Sequence, residues 1–160
     1  EHGKRFTELV IEFYLKDDAN HDPLLVFDLL SSQFLVFDPK HPVSDSKVLR
    51  VFPGRDLELD IEDVQELKRI AHDVFIALES AWREQNVALV DLKIECGVSR
   101  RGNILLADVI DNDSWRIWPE GKPDLMKDKQ LFRNLSEVTD DGLQKVLDAY
   151  AWVANATDRF

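Results

Sequence analysis

Leu89-Val90-Asp91-Leu92-Lys93-Ile94-Glu95-Cys96-Gly97, followed after Arg101-Gly102-Asn103 by Ile104-Leu105-Leu106-Ala107-Asp108, is the stretch that decides the fold. From Ala88 to Gly97 the residue types alternate. Leu92, Ile94 and Cys96 fall on one side of an extended chain, and Asp91, Lys93 and Glu95 on the other. Arg101-Gly102-Asn103 is a turn and 104–108 returns, so the pattern predicts a β-hairpin with three ionisable groups along one face. Successive charges on that face lie about 6–7 Å apart. A tight turn sets Glu95 nearly opposite Asp108, and two facing carboxylates repel unless a cation lies between them. Mg²⁺ and Lys93 are both candidates for that cation. Periodicity alone leaves the solvated outer face of an antiparallel sheet as the alternative.

On either side of this hairpin the chain reads as helix. Ile61, Val64, Leu67, Ile70, Ala71, Val74, Phe75, Leu78 and Trp82 recur at helical spacing, predicting a helix over 61–83 with Asp60 as its N-cap. A second helix is predicted over 140–156, capped by Thr139, with Leu143, Val146, Leu147, Tyr150 and Val153 on one face. Asp140 and Asp141 suit the positive end of its dipole. Further upstream, 8–15 reads as a strand, and 24–37 is apolar and ambiguous between helix and strand. Phe34–Phe37 and Val48–Phe52 flank a segment with two prolines and several Asp and Ser residues, which predicts a second hairpin. The fold class is therefore α+β, with antiparallel sheet packed against helices.

The 160 residues suffice for one domain with a real core, and 44% apolar with 32% charged residues is a globular profile. No apolar run reaches the roughly 18–20 residues of a membrane span, and no signal peptide is visible, so a membrane partner is not expected. The net charge of −11 argues against nucleic acid, whose phosphates need a basic footprint. Nucleotides stay open, because Mg²⁺ can bridge carboxylates to phosphate oxygens. A single cysteine, Cys96, allows no internal disulfide and fits a cytoplasmic location. Cys96 falls on the apolar side of the strand, which suits packing.

After the hairpin comes Asp108-Val109-Ile110-Asp111-Asn112-Asp113-Ser114-Trp115-Arg116-Ile117-Trp118-Pro119. As a calcium loop starting at Asp111 it fails, lacking the sixth-position glycine and carrying Lys122 where the bidentate Glu belongs. Asx turns would explain the acidic triplet, Trp115 and Trp118 would anchor in a core, and Arg116 could stack on an indole or pair with Asp113.

Four segments in order carry a resemblance. Leu89–Gly97 is similar to the signature Leu-(aliphatic)-Asp-x-Lys-(aliphatic)-Glu-Phe-Gly of the SAICAR synthetases. Leu106–Trp118 looks like the form used by the animal bifunctional members of that family. Phe13–Pro23 resembles the family's Lys-Asn/Asp-Asp…Asp-Pro segment, and Lys127–Arg133 its Asp-Lys-…-Phe-Arg segment. The resemblance implies the C-terminal lobe of an ATP-grasp-like fold, with nucleotide bound between two lobes. It implies an ATP-dependent ligase of purine biosynthesis that joins L-aspartate to carboxyaminoimidazole ribotide through an acyl phosphate, giving SAICAR, ADP and phosphate.

By the same resemblance, Glu95 and Asp108 would hold Mg²⁺ against the ATP phosphates and Lys16 would contact the nucleotide. Asp91, Asp113, Arg116 and Lys129 match positions at the ribotide and aspartate end of the cleft. Lys93 would support the phosphates electrostatically. Such a reaction needs positioning and charge neutralisation, which these residue types supply.

Three departures stand beside the match. Cys96 replaces the signature Phe. Residues about 24–57 do not follow the family's usual short connection and read as an inserted or divergent surface segment. The family's N-terminal lobe is missing from 1–160, so the isolated chain is expected not to turn over. A fused AIR carboxylase domain in the parent chain is compatible with the animal-type match. The competing functional readings are an acidic nucleotide-binding or interaction module without catalysis, and a different ATP-grasp ligase.

Overall fold

The computed structural model describes residues 8–38, 50–53 and 59–160. Its chain divides into two compact units, Glu1–Arg69 and Ile70–Phe160, with the boundary inside a long helix. In the first unit, β1 (Phe13–Tyr14), β2 (Leu24–Asp28), β3 (Gln33–Phe37) and β4 (Arg50–Pro53) form an antiparallel sheet in sequence order. Of the expected pairing between 34–37 and 48–52, the described part is present: Phe34 lies across from Phe52 and Val36 from Arg50, while 48 and 49 lie outside the described residues. Of the strand expected over 8–15, only Phe13 and Tyr14 join the sheet.

Leu25, Phe34 and Val36 of this sheet are buried with Val64 from the start of the helix. So β2 and β3 are core of their unit, through Leu24 and Leu25 on β2 and Phe34 and Val36 at alternate positions of β3. The Pro, Asp and Ser stretch 38–47, expected to form a surface excursion, lies outside the described residues apart from Asp38.

The long helix, α1 (Ile61–Glu84), begins where the sequence places it. Asp60 Oδ1 accepts from the backbone N–H groups of Glu62 and Asp63, at 2.8 and 3.0 Å. In return Asp63 Oδ2 accepts from Asp60 N–H at 2.9 Å, a reciprocal capping box. It is followed by β5 (Val87–Leu92), β6 (Glu95–Val98), β7 (Ile104–Ala107) and β8 (Trp115–Pro119). The expected single strand 88–97 is broken at Lys93-Ile94. β5 pairs with β8, and β6 pairs with β7, as two separate two-stranded sheets. The hairpin itself is present, turning through Gly102, whose φ of +82° only glycine adopts at little cost.

A short helix, α2 (Gln130–Arg133), precedes α3 (Asp140–Thr157). Thr139 Oγ1 accepts from Gly142 N–H at 3.1 Å and caps α3 as expected. The buried face of α3 differs from the expected one. Gly142, Ala149, Val153 and Ala156 are buried, whereas Leu143 and Leu147 are exposed. Small residues at those positions let the helix approach the bulky core of the second unit.

That core is Trp82, Val87, Leu89, Trp115, Ile117, Val153 and Ala156. Trp82 is fully buried, stacked on Trp152 and met edge-on by Trp115 and Phe160. Burial of Trp82 and Trp115 with the aliphatic residues around them makes this the rigid part of the second unit.

Candidate active site

β8 sets the direction of the site. Trp115 and Ile117 point into the core, so Arg116 between them must point outward. On β5, Val87 and Leu89 also point inward, and strict alternation would send Asp91 after them. A β-bulge between Leu89 and Asp91 adds one residue, so Leu89 pairs with Ile117 but Asp91 pairs with Arg116. The extra residue reverses the phase. It keeps a carboxylate out of the tryptophan core and lays it beside the guanidinium.

There Arg116 Nε donates to Asp91 Oδ2 at 2.6 Å and Arg116 Nη2 donates to the same oxygen. The hydrogen bond to Asp91 raises the Arg116 pKa above its ordinary value, partial burial opposes the rise, and the charges of Asp91 and Asp128 add to it. Arg116 therefore pairs with Asp91 rather than with Asp113.

Asp113 stands at the entry to β8 in a loop held by local bonds. Its N–H donates to Asp111 Oδ1 at 2.9 Å, its carbonyl accepts from Lys129 Nζ, and its Oδ1 accepts from the Tyr150 hydroxyl at 2.8 Å. Beneath the loop, buried Asn112 accepts from Trp115 Nε1 at 2.9 Å and donates to the Lys127 carbonyl at 3.0 Å. Asp128 is buried as well. One of its oxygens accepts from Ile117 N–H at 2.9 Å and the other from Gln130 N–H at 2.8 Å. These bonds fasten the 127–130 segment to β8 and so set where Lys129 and Arg116 stand.

Asn112, Asp128 and Tyr150 brace the segments that carry Asp113, Arg116 and Lys129, a role not signalled in the sequence. Asn112 and Asp128 sit within its quoted motifs but were indistinguishable there from turn formers. Tyr150 lies 37 residues from Asp113 and was assigned to a core face.

The other candidates lie along the hairpin. Glu95 is half-buried and pairs with Lys93 Nζ at 3.4 Å, while Lys93 N–H donates to the Ser114 carbonyl at 2.7 Å. Glu95 is directly opposite Ala107, one residue short of Asp108. Asp108 leaves the strand at φ 63°, a left-handed conformation that Asp tolerates, and its Oδ1 accepts from Val109 N–H at 2.8 Å. Among the described residues no group of three or more His, Cys, Asp or Glu gathers that could hold a metal. Two carboxylates suit a magnesium ion only if waters and phosphate oxygens complete its shell. Burial pushes the Cys96 thiol upward, in keeping with a packing role.

Lys16 belongs to the first unit. Its Nζ lies 3.2 Å from Asp18 and 3.9 Å from Asp22, and Asp22 Oδ1 accepts from Asp17 N–H at 2.9 Å. His21 and Asp22, both at positive φ, make the tight turn that returns the chain to β2.

The model of the SAICAR synthetase family matches residues 1–150, a span that includes all eight candidate residues. The chain belongs to the SAICAR synthetase family. It is 40% identical over 156 residues to the phosphoribosylaminoimidazole-succinocarboxamide synthase of Roseiflexus sp. (strain RS-1), covering 98% of this chain and 53% of that protein. It is 42% identical over 158 residues to the "probable multifunctional protein ADE2" of Caenorhabditis elegans, covering 99% of this chain and 33% of the relative. Among solved structures, a type-2 SAICAR synthetase in complex with ADP superposes with a TM-score of 0.68 at 23% identity, over 95% of this chain and 52% of that one. The chain thus spans about half the length of the synthases it matches and a third of the multifunctional relative. Among the described residues no helix is long and apolar enough to cross a membrane.

Proposed function

We propose that this chain is the C-terminal catalytic portion of a synthetase that joins L-aspartate to carboxyaminoimidazole ribotide at the expense of ATP. The substrate carboxylate takes the γ-phosphoryl group of ATP, and the aspartate amine then displaces phosphate to form the amide of SAICAR. The observation that carries this reading is the family match over 1–150, a span that contains all eight candidate residues.

The anionic substrates meet Arg116 and Lys129, with Asp91 orienting the guanidinium and Asp113 reading a substrate donor. Arg116 offers a planar fork for a carboxylate or phosphate, and the bond to Asp91 fixes its plane in advance. Glu95 and Asp108 would hold Mg²⁺, which would supply charge neutralisation at the ATP phosphates, with Lys93 beside Glu95 adding positive charge. Lys16 contacts the nucleotide. Relatives bearing the names multifunctional ADE2 and bifunctional purC/E support a parent chain that also carries an AIR carboxylase domain, and a cytoplasmic setting accords with the single cysteine.

The test is turnover by the full-length parent enzyme. ADP release should require both the ribotide and aspartate, with aspartate incorporated into the product. ADP release that proceeds with another amine, or without incorporation, would overturn the proposal.

A further inference from the structure

The Tyr150 hydroxyl reaches across 37 residues of sequence to the Asp113 carboxylate. Tyr150 is partly exposed, and the helix is anchored by Ala149, Val153 and Ala156 on another face. Asp113 already has its backbone fixed by Asp111 and Lys129, so the Tyr150 bond determines only where its carboxylate points. With Oδ1 engaged, the second carboxylate oxygen, Oδ2, has no protein donor among the described residues.

We propose that Tyr150 is a positioning residue of the synthetase site, holding the Asp113 carboxylate in one rotamer so that Oδ2 accepts from the amine or hydroxyl of an incoming anionic substrate. Partial burial and the adjacent Asp113 push the Tyr150 hydroxyl up to about 12, so it remains a donor throughout the physiological range. A phenol that stays protonated suits a carboxylate that must stay ionised. The bond preorganises Asp113 before substrate arrives, which lowers the ordering cost of binding.

This role rests on the synthetase reading, and the experiment separates the two. In full-length enzyme, Tyr150→Phe should raise KM for aspartate or for the ribotide roughly five- to twentyfold, the size of one hydrogen bond to a charged group near water. KM for ATP should stay unchanged, and the melting temperature should fall by no more than the loss of one exposed hydrogen bond. The double variant Tyr150→Phe/Asp113→Asn should be no worse than Asp113→Asn alone, because the positioning role runs through that carboxylate. Wild-type turnover with unaltered Tyr150→Phe kinetics, or additive losses in the double variant, would overturn the positioning role alone. A wild-type enzyme without ligase activity would overturn the functional reading on which it rests. In the 160-residue chain, a Tyr150 that ionises near its ordinary value would show that the contact does not form.

Discussion

The two strand pairs of the second unit are built from one continuous stretch of sequence and come out opposite in character. β5 with β8 lies on the tryptophan core, with Val87, Leu89, Trp115 and Ile117 buried and Arg116 and Asp91 outside. β6 with β7 has exposed Val98, Leu105 and Leu106 and only half-buried Glu95 and Cys96. The first pair is rigid because one whole face is packed. Within the described unit, the second is held mainly by its own ladder, and a lone two-stranded ribbon is marginal in water. The contrast matches their proposed tasks: a fixed fork for small anions, and a compliant arm for a metal and phosphates.

The largest effect should come from removing the bulge. Deleting Val90 forces either Asp91 into the core or Val87 and Leu89 out of it, a loss on the order of 4 kcal/mol or more. Retention of near-wild-type stability by that variant would mean the bulge does not set the phase. Next comes Asp128→Ala, which strands the Ile117 N–H inside the core and should destabilise by about 2–3 kcal/mol. A change below about 0.5 kcal/mol would show that water replaces the carboxylate readily.

Removing the α3 cap with Thr139→Ala should take away about 1 kcal/mol. High pH gives a directional effect. The hydroxyls of Tyr14 and Tyr150 are both pushed up to about 12, so the folded state holds protons that the unfolded chain releases from about pH 10. Stability supplied by these groups is present below pH 10 and lost as pH rises toward 12. Replacing both tyrosines with Phe should flatten that limb of the denaturation curve, and an unchanged limb would exclude them as its source. Smallest of all, Leu105→Ala on the hairpin should change stability by under about 0.5 kcal/mol. A larger loss would mean the ribbon is packed after all.

Helices and hairpin were legible because their signals are local. Asp60 and Thr139 announce helix starts, and the turn at Gly102 announces the ribbon. The bulge was not legible, since Val90 is one more aliphatic residue in an aliphatic run and its effect depends on the partner strand. For that reason 88–97 reads as a single strand, although the chain changes partners at Lys93-Ile94. The buried face of α3 was misjudged because large residues outweigh small ones in any apolar pattern, while helix packing here selects Gly142, Ala149 and Ala156. The family resemblance, not the spacing, groups Asp91, Arg116, Asp113 and Lys129 as candidates for one site. Their pairing, and the involvement of Asp128 and Tyr150, depends on contacts across 11 to 37 residues.

The division of labour between the two strand pairs is tested most directly by steady-state kinetics of Arg116→Lys and Glu95→Gln in the full-length enzyme. Arg116→Lys keeps the charge and loses the fork, so transition-state stabilisation should fall by about 1.5–3 kcal/mol, expressed against aspartate or the ribotide with KM for ATP unchanged. Glu95→Gln should raise the magnesium and ATP requirement and leave KM for aspartate and the ribotide in place. If both variants impair the same substrate, or if Arg116→Lys lowers only thermal stability, the two pairs do not divide the site as described.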